Sequence, residues 1–597
     1  MCGIAAIIAP DATGRRPALE AMLGRILHRG PDATGVLVAD GCAFAHARLA
    51  VIDLAGGDQP MRDASERFAI TYNGEIYNYR ELRDELRAAG HRFITSSDTE
   101  VILAAWQEWG SGCVDRFRGM FAFAIWDRQE RSLFAARDLF GEKPFYFVHD
   151  GERLLIASEL KAIVASRLVE PRLSMRAVDA YLALGYLPPE VCIYDNVRTL
   201  PPAHYLTFAG DRVTTTRYWA PTPRPQPMTL DDAAAEVRRL MQQAVARQLV
   251  ADTPVGAFLS GGHDSSTIVA LMAGSGITPK TFSVGFEFDN ELPFAAAVAR
   301  QYATEHHELD LASPPVGALL ERMASVYDEP IGDSSHIPTF LVAEYARSHV
   351  KVVLGGDGGD ELFGGYGWHS RLDRARQARG GRLRWLLLRA AAKATRQRAL
   401  DASSDALGLK VRWPDPWRAA IMARIVLSAG ERRALWRSGA NDSGIETSAG
   451  PGSDVQGLDR GFYFDLTNYL SGDLLVKVDR AAMAHGLETR TPFLDRDLAE
   501  FALSIPADLK VRGDERRIVY REAFAPLWPE VVRRRSKRGF SPPIAKWLQR
   551  EDVRPLLARV YAAGSPLRRL LPGLPSAPRN DRPLQTWTLL SLGLWLG

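Results

Sequence analysis

A layered α+β domain followed by an α/β domain is the fold class that this sequence predicts. Three features predict it. Apolar runs of strand length crowd the first 220 residues, a strand, loop, helix rhythm takes over after residue 230, and a proline-rich stretch separates the two. At 597 residues the chain is also too long for one hydrophobic core.

In the first part, Phe68-Ala69-Ile70-Thr71-Tyr72 and Phe121-Ala122-Phe123-Ala124-Ile125-Trp126 read as strands bounded by Gly, Asn and Asp turns, with helical patches between them. The run APTPRPQPMTL at 220–230 holds four prolines, which excludes a continuous helix or a central strand. Residues 1–220 are therefore read as one domain, 221–230 as a linker and 231–597 as the second domain. There a helical pattern from Asp231 to Leu249 leads into the apolar run Val255–Leu259, a glycine-rich turn and a helix over Ser265–Ala273. Thr281–Phe286 and Val350–Leu354 are further strands, each followed by a polar or glycine-rich loop of the kind that carries ligands at the carboxyl ends of parallel strands.

Composition narrows the partners. With 74 Lys plus Arg against 71 Asp plus Glu the net charge is +3, so bulk electrostatics favour neither nucleic acid nor a membrane. Small-molecule substrates recognised by local groups are expected. No apolar run reaches the roughly 18 residues of a membrane span, and Met1-Cys2-Gly3 does not open a signal peptide, so a cytoplasmic location is expected. The Arg-rich segment Arg371–Arg398 reads as a solvated helix face, and Ser438–Gly457, rich in Gly, Ser and Asp, as a mobile loop. The four cysteines form no CxxC pair, and Cys42, Cys113 and Cys192 read as small core residues.

Cys2 differs from them. Removal of Met1 leaves a thiol and a free α-amine on one residue, and an amine of pKa about 7.7–8.0 can take the thiol proton without a separate histidine. A thiol that attacks a carbonyl needs hydrogen-bond donors for the oxyanion. Cys2-Gly3-Ile4, His28-Arg29-Gly30-Pro31-Asp32, Arg48-Leu49-Ala50-Val51-Ile52-Asp53, Tyr72-Asn73-Gly74-Glu75-Ile76-Tyr77-Asn78 and Ser97-Asp98-Thr99-Glu100 together resemble the class II glutamine amidotransferase domain. The resemblance implies an Ntn-hydrolase αββα sandwich with Cys2 as nucleophile and Asn73 with the Gly74 N–H as oxyanion donors. It further implies glutamine held by Arg48, Val51, Asn73, Gly74, Glu75 and Asp98, with Arg29, Asp32 and Asp53 bracing the loops.

Ser260-Gly261-Gly262-His263-Asp264-Ser265-Ser266 follows an apolar strand and opens a helix, so backbone N–H groups, hydroxyls and the helix dipole face one point. That is an anion cradle without the lysine of a GxxxxGK[ST] loop. A second loop, Leu354-Gly355-Gly356-Asp357-Gly358-Gly359-Asp360-Glu361, sets carboxylates on a glycine backbone. Asp264 and Asp360 suit a magnesium ion on a triphosphate.

The first loop resembles SGGxDS of the ATP pyrophosphatases, and with Tyr327-Asp328-Glu329-Pro330 and Ala484-His485-Gly486-Leu487-Glu488 the second half resembles the synthetase domain of glutamine-dependent asparagine synthetases. An adenine nucleotide α-hydrolase-like α/β domain is implied. ATP contacts then fall to Phe258, Ser260, Gly261, Gly262, Asp264, Ser265, Val284, Gly355 and Gly356. By the same resemblance Asp264 and Asp360 carry Mg2+, Asp357 serves acyl-adenylate formation and ammonia attack, and Lys537 stabilises the adduct.

Lys477 is a further phosphate candidate. The turns containing Arg490 and Arg534–Arg538 offer positive charge to leaving pyrophosphate. His263 departs from the aliphatic residue usual at the x of SGGxDS. The reaction implied is Cys2-dependent hydrolysis of glutamine, channelling of ammonia and amidation of aspartate activated as its acyl-AMP. The alternative is a paralogous amidotransferase for another carboxylic acid, with His263 as its support, and a homodimer is compatible with either.

Overall fold

The computed structural model describes residues 1–286, 290–311, 314–377, 415–437, 441–448, 450–452, 454–535 and 542–597. Its first 220 residues build two six-stranded sheets, and every strand pairing in them is antiparallel. One sheet runs in the spatial order Arg198–Thr199, Tyr146–His149, Leu154–Ala157, Gly3–Ile8, Cys42–Arg48, Ala33–Ala39. The other runs Arg212–Arg217, His204–Ala209, Ser132–Arg137, Gly119–Asp127, Phe68–Ile76, Met61–Arg62.

Strand periodicity explains the layers. In Gly3–Ile8, the alternate residues Ile4, Ala6 and Ile8 pack between the sheets with Ala122, Ala124 and Trp126. Ala5 and Ile7 face the other way, onto Leu19 and Met22 of helix Arg16–Gly24 and Leu160 of helix Leu160–Ala165. On the second sheet Phe121, Phe123 and Ile125 pack outward against Leu82 and Ile102 of helices Tyr79–Ala88 and Asp98–Trp109. Both faces of each sheet are covered, which is why these strands read as nearly continuous apolar runs. The result is an αββα sandwich.

After it the chain crosses 221–229 in extended form, where Arg224 and Gln226 donate backbone bonds to the carbonyls of Leu503 and Ser504. Thr229 caps helix Leu230–Gln248 by accepting from the Asp232 N–H. A five-stranded sheet follows, parallel throughout, in the order Glu305–Leu311, Lys280–Phe286, Val255–Phe258, Val352–Leu354, Glu488–Arg490. The first strand in sequence lies in the middle, and the chain winds outward to one side and then to the other. The switch point therefore falls between Val255–Phe258 and Val352–Leu354, and the loops leaving these strands diverge to open a crevice. The sequence placed the three central strands and missed both outer ones. Glu305–Leu311 reads EHHELDL and carries no apolar signature, whereas Glu488–Arg490 is a buried strand of only three residues.

Asp465–Leu474 is a π-helical segment between helices Asp459–Phe464 and Leu475–Met483, and it brings Tyr469 and Leu474 to the crevice. Part of the expected loop 438–457 is pinned: Glu446 accepts from the Ala429 N–H and from Arg432, and Trp417 donates to the Ser448 carbonyl. The expected basic helix over 371–398 lies largely outside the described residues, whose helix there is Gly367–Gln377. No described helix is long and apolar enough to cross a membrane.

The two halves meet through buried charge. Arg29, wholly buried, donates to the Cys2 carbonyl at 3.0 Å, to Glu159 at 2.8 Å and through both terminal nitrogens to Asp479 of the second half at 2.9 and 3.0 Å. Lys351 pairs with Asp32 at 2.7 Å, and Arg118 with Asp497 at 3.0 Å. A buried pair loses most when one partner is removed, because the other is left charged without compensation. Arg29→Met is thus expected to destabilise the protein by about 3–5 kcal/mol, with Arg29→Met/Asp479→Leu recovering part of it. Thermal unfolding of both variants measures this, and an unchanged midpoint for Arg29→Met would contradict it.

Candidate active sites

Cys2 opens the strand Gly3–Ile8 and is buried, with its Sγ 3.9 Å from the Leu49 carbonyl. Its N–H donates to Asn73 Oδ1 at 2.8 Å. Asn73 sits in the strand Phe68–Ile76, wholly buried, and its Nδ2 has no hydrogen-bond partner among the described residues. A buried amide left with unused donors beside a thiol is what an oxyanion site requires. Gly74 adopts φ +151°, and a Cβ there would lie 2.1 Å from the Met120 carbonyl, so only glycine fits.

Met1 precedes Cys2 and is buried among Tyr77, Met120 and Met483. Its amine is 2.5 Å from Glu488 Oε2. Burial alone would raise Glu488, but the Met1 amine and Arg490 bring it down to about 2. Burial raises the Cys2 thiol, an effect the nearby amine opposes.

The remaining glutamine candidates surround this point unevenly. Asp98, at the start of a helix capped by Ser97, accepts from the Tyr72 hydroxyl at 2.9 Å and the Ile76 N–H at 3.0 Å. Glu75 Oε2 has no hydrogen-bond partner among the described residues, and burial with the nearby carboxylates Glu488 and Asp98 lifts Glu75 well above the usual range. Arg48 spends its donors on the Leu54 and Asp53 carbonyls and on Asp58, at 3.2, 2.6 and 2.9 Å. Val51 is buried, and its carbonyl accepts from Asp252. Asp53 and Asp32 brace loops, through the Gly56, Ser96 and Ala50 N–H groups.

In the second half a cavity of about 550 Å³ opens at the switch point. Phe258, Ser260, Gly262, Asp264 and Ser265 line it from the first loop, Gly355, Gly356, Asp357 and Asp360 from the second, and Val284 from the neighbouring strand. Gly261 turns the chain at φ +66°, where a Cβ would lie 2.5 Å from Phe294 Cβ. The Ser260 and Ser265 hydroxyls are 3.2 Å apart at the head of the twelve-residue helix His263–Gly274. Backbone N–H groups and a helix N-terminus meet there, an arrangement suited to an anion.

Asp264 and Asp360 do converge, and they do so on Arg517. Its guanidinium holds Asp264 through both terminal nitrogens, one at 2.8 Å, and Asp360 at 3.2 Å. Nothing local marks this residue, which lies in the polar stretch Glu515-Arg516-Arg517, 253 residues from Asp264. Burial raises Asp357, and Asp264 and Asp360 add to the effect against the pull of Lys477.

Lys477 is bonded to Asp333 and Ser335, each at 2.8 Å, on the cavity wall. Arg535 also reaches the cavity, bonding Glu291 at 2.5 Å and the Ser260 carbonyl at 3.3 Å. Lys537 lies outside the described residues. Arg490 corrects an expectation: it is wholly buried at the domain junction, bonded to Glu488 and to the carbonyls of Gln248 and Val250, each at 2.7 Å, rather than facing a leaving pyrophosphate. His263 stacks flat on Trp528, ring centroids 4.1 Å apart, with Nε2 3.2 Å from the Val532 carbonyl.

An Ntn-type glutaminase joined to a nucleotide-binding α/β domain defines a class of glutamine-using, ATP-consuming ligases. The chain matches the glutamine amidotransferase domain model over residues 1–219 and the asparagine synthase model over 236–596. It belongs to the asparagine synthase family. Asparagine synthetase [glutamine-hydrolyzing] 1 of Bacillus subtilis (strain 168) is 31% identical over 618 residues, covering 100% of this chain and 96% of its own length. Asparagine synthetase [glutamine-hydrolyzing] 3 of the same strain is 32% identical, over 90% of this chain and 87% of its own. Amidase chry2 of Gibberella zeae is 27% identical over 92% and 90%.

One buried acid beside the cavity gives a pH test. Burial and Asp333 raise Asp473 to about 8, and its Oδ1 has no hydrogen-bond partner among the described residues. A carboxyl raised on folding gives its full contribution below its unfolded value, here 3.8, and loses it as pH climbs through about 8. Asp473→Asn removes that loss. Thermal midpoints of the variant are therefore expected to gain on the parent progressively from pH 5 to about pH 8 and then level off; a difference independent of pH would contradict the assignment.

Proposed function

We propose that the protein is a glutamine-dependent asparagine synthetase with Cys2 as its glutaminase nucleophile and the crevice at the sheet switch point as its synthetase centre. The observation that carries this reading is the strand linking the two sites. Glu488–Arg490 touches the Cys2 pocket through Met1 and Glu75, with Arg490 3.8 Å from Glu75. The same strand pairs with Val352–Leu354, which runs directly into Gly355, Gly356 and Asp357.

After loss of Met1 the Cys2 amine takes the thiol proton, and Sγ attacks the glutamine side-chain carbonyl. Asn73 Nδ2 and the Gly74 N–H receive the oxyanion, while Asp98 and Glu75 hold the ammonium and Arg48 the carboxylate. Collapse of the adduct leaves a thioester and ammonia, and water then releases glutamate. Met1 excision also empties the space among Tyr77, Met120 and Met483, on the side where Glu488 leads toward the second site.

There the aspartate side-chain carboxylate attacks the α-phosphate of ATP, pyrophosphate leaves, and ammonia displaces AMP from the acyl-adenylate. Activation is necessary because a carboxylate is a poor electrophile and hydroxide a poor leaving group. Ser260, Gly262 and Ser265 cradle phosphate, Phe258 and Val284 flank the nucleotide, and Asp357 attends the acyl centre, with adduct stabilisation left to Lys537 on the family resemblance alone. Two carboxylates that share one guanidinium lie close enough to share one cation, so Asp264 and Asp360 fit magnesium. When bound, that ion neutralises phosphate charge. His263 lines the cavity while its ring stacks on Trp528 and its Nε2 meets the Val532 carbonyl, so the support for aspartate as the acceptor comes from the asparagine synthetases that the chain resembles over its full length.

Two variants test the division of labour. Cys2→Ala is expected to abolish glutamine use and retain asparagine formation from ammonium, whereas Asp264→Asn is expected to spare glutamate release and cut aspartate-dependent pyrophosphate release by about 100-fold or more. Pyrophosphate and asparagine measured together check both, and joint loss of the two activities in Cys2→Ala would contradict the two-site account.

A further inference from the structure

Three neighbouring strands of the parallel sheet meet the first domain at their amino-terminal ends. Asp252, just before Val255–Phe258, reaches Val51 and Asp53; Lys351, just before Val352–Leu354, pairs with Asp32; and Glu488, heading Glu488–Arg490, holds the Met1 amine. The contact made by Asp252 bears most directly on the glutamine pocket.

The Asp252 N–H donates to the Val51 carbonyl at 2.9 Å, and its carboxylate accepts from the Asp53 N–H at 2.8 Å, so the chain from Val51 to Asp53 is held at both ends. Asp53 stands at φ 49°, in the left-handed region that aspartate visits more readily than most residues but still at a cost. Its carbonyl accepts from Arg48 Nη2 at 2.6 Å and from the Gly57 N–H at 3.0 Å. A Cβ on Gly57 would lie 2.6 Å from Arg48 Nη2, so the turn closes tightly over the guanidinium. The Asp53 carboxylate accepts from the Ser96 N–H at 2.7 Å, just ahead of Asp98. One residue thus ties the arginine that grips the substrate carboxylate to the segment whose acid holds the ammonium.

We propose that Asp252 is a positioning residue of the glutaminase supplied by the synthetase domain: by fixing Asp53 in its left-handed conformation it orients Arg48 toward the glutamine carboxylate and sets the affinity for glutamine. This rests on the reading that Arg48 holds that carboxylate. Without the Asp252 side chain the Asp53 N–H turns to water, and the carbonyl that steers Arg48 is no longer fixed. A guanidinium fork makes both of its bonds to a carboxylate only in the right orientation. The loss falls on binding rather than on chemistry, because Cys2 heads the strand Gly3–Ile8 and Asn73 and Gly74 stand in Phe68–Ile76, neither of which Asp252 bonds.

Ammonia release by the full chain, measured at varied glutamine and at varied glutaminamide, tests this. Asp252→Ala is expected to raise KM for glutamine about fivefold with kcat within about twofold of the parent, as the loss of one hydrogen bond that serves binding alone would do. Glutaminamide offers Arg48 no carboxylate, so its kcat/KM should be the same in both. Asp252→Asn keeps an oxygen for the Asp53 N–H and should restore the parent KM. Circular dichroism certifies each variant as folded.

An unchanged KM for glutamine in Asp252→Ala would overturn the proposal. So would an equal loss with glutamine and glutaminamide, which marks a general disturbance of the pocket. Arg48→Gln separates the underlying reading from it. If that change leaves KM for glutamine unaltered, Arg48 does not hold the carboxylate and both readings fail. If it raises KM while Asp252→Ala matches the parent, only the role of Asp252 fails.

Discussion

Everything the two sites do together depends on the guanidinium of Arg29. It is bonded at once to the carbonyl of Cys2, to Glu159 of the first domain and to Asp479 of the second. No solvent reaches it. A bidentate pair fixes angle as well as distance, so Cys2 is set in position by a carboxylate of the other domain. Apolar burial would join the domains as firmly but would not place Cys2 with the same directional precision.

The junction around this pair is polar by necessity. Ammonia is small, reactive and readily protonated in water, so a reaction in two places profits from a dry path between them. The residues there, Glu488, Arg490, Glu75 and Tyr77, are buried, and atoms of Glu75, Tyr77 and Arg490 have no hydrogen-bond partner among the described residues. Orphan groups of this kind cost stability unless something polar meets them.

Much of this was legible in the sequence because chemistry sits on loops whose residues have few substitutes. Gly74 and Gly261 are glycines for steric reasons visible in the fold, and the SGGHDS and GGDGGDE runs stand at the ends of strands whose apolar character is plain. What stayed hidden depends on distance in space. Asp479 lies 450 residues from Arg29, and Arg517 lies 253 from Asp264, so nothing local marks either pairing. The outer strands of the parallel sheet and the π-helical turn escaped for a different reason: their registers are set by neighbours, and their own composition is polar. Arg490 misled because an arginine in a turn-like motif looks like a phosphate ligand, whereas its burial between domains is settled only by packing.

The central claim is that one closed assembly hands nitrogen from Cys2 to the synthetase crevice. Incubation with glutamine labelled with 15N at the amide, ATP, magnesium and aspartate, in a bath of excess unlabelled ammonium, tests it directly. Mass spectrometry of the asparagine formed gives the answer. The account predicts that the product amide carries the glutamine nitrogen in far greater proportion than the ammonium pool would supply. Label diluted to the ratio of the bulk pool would contradict it.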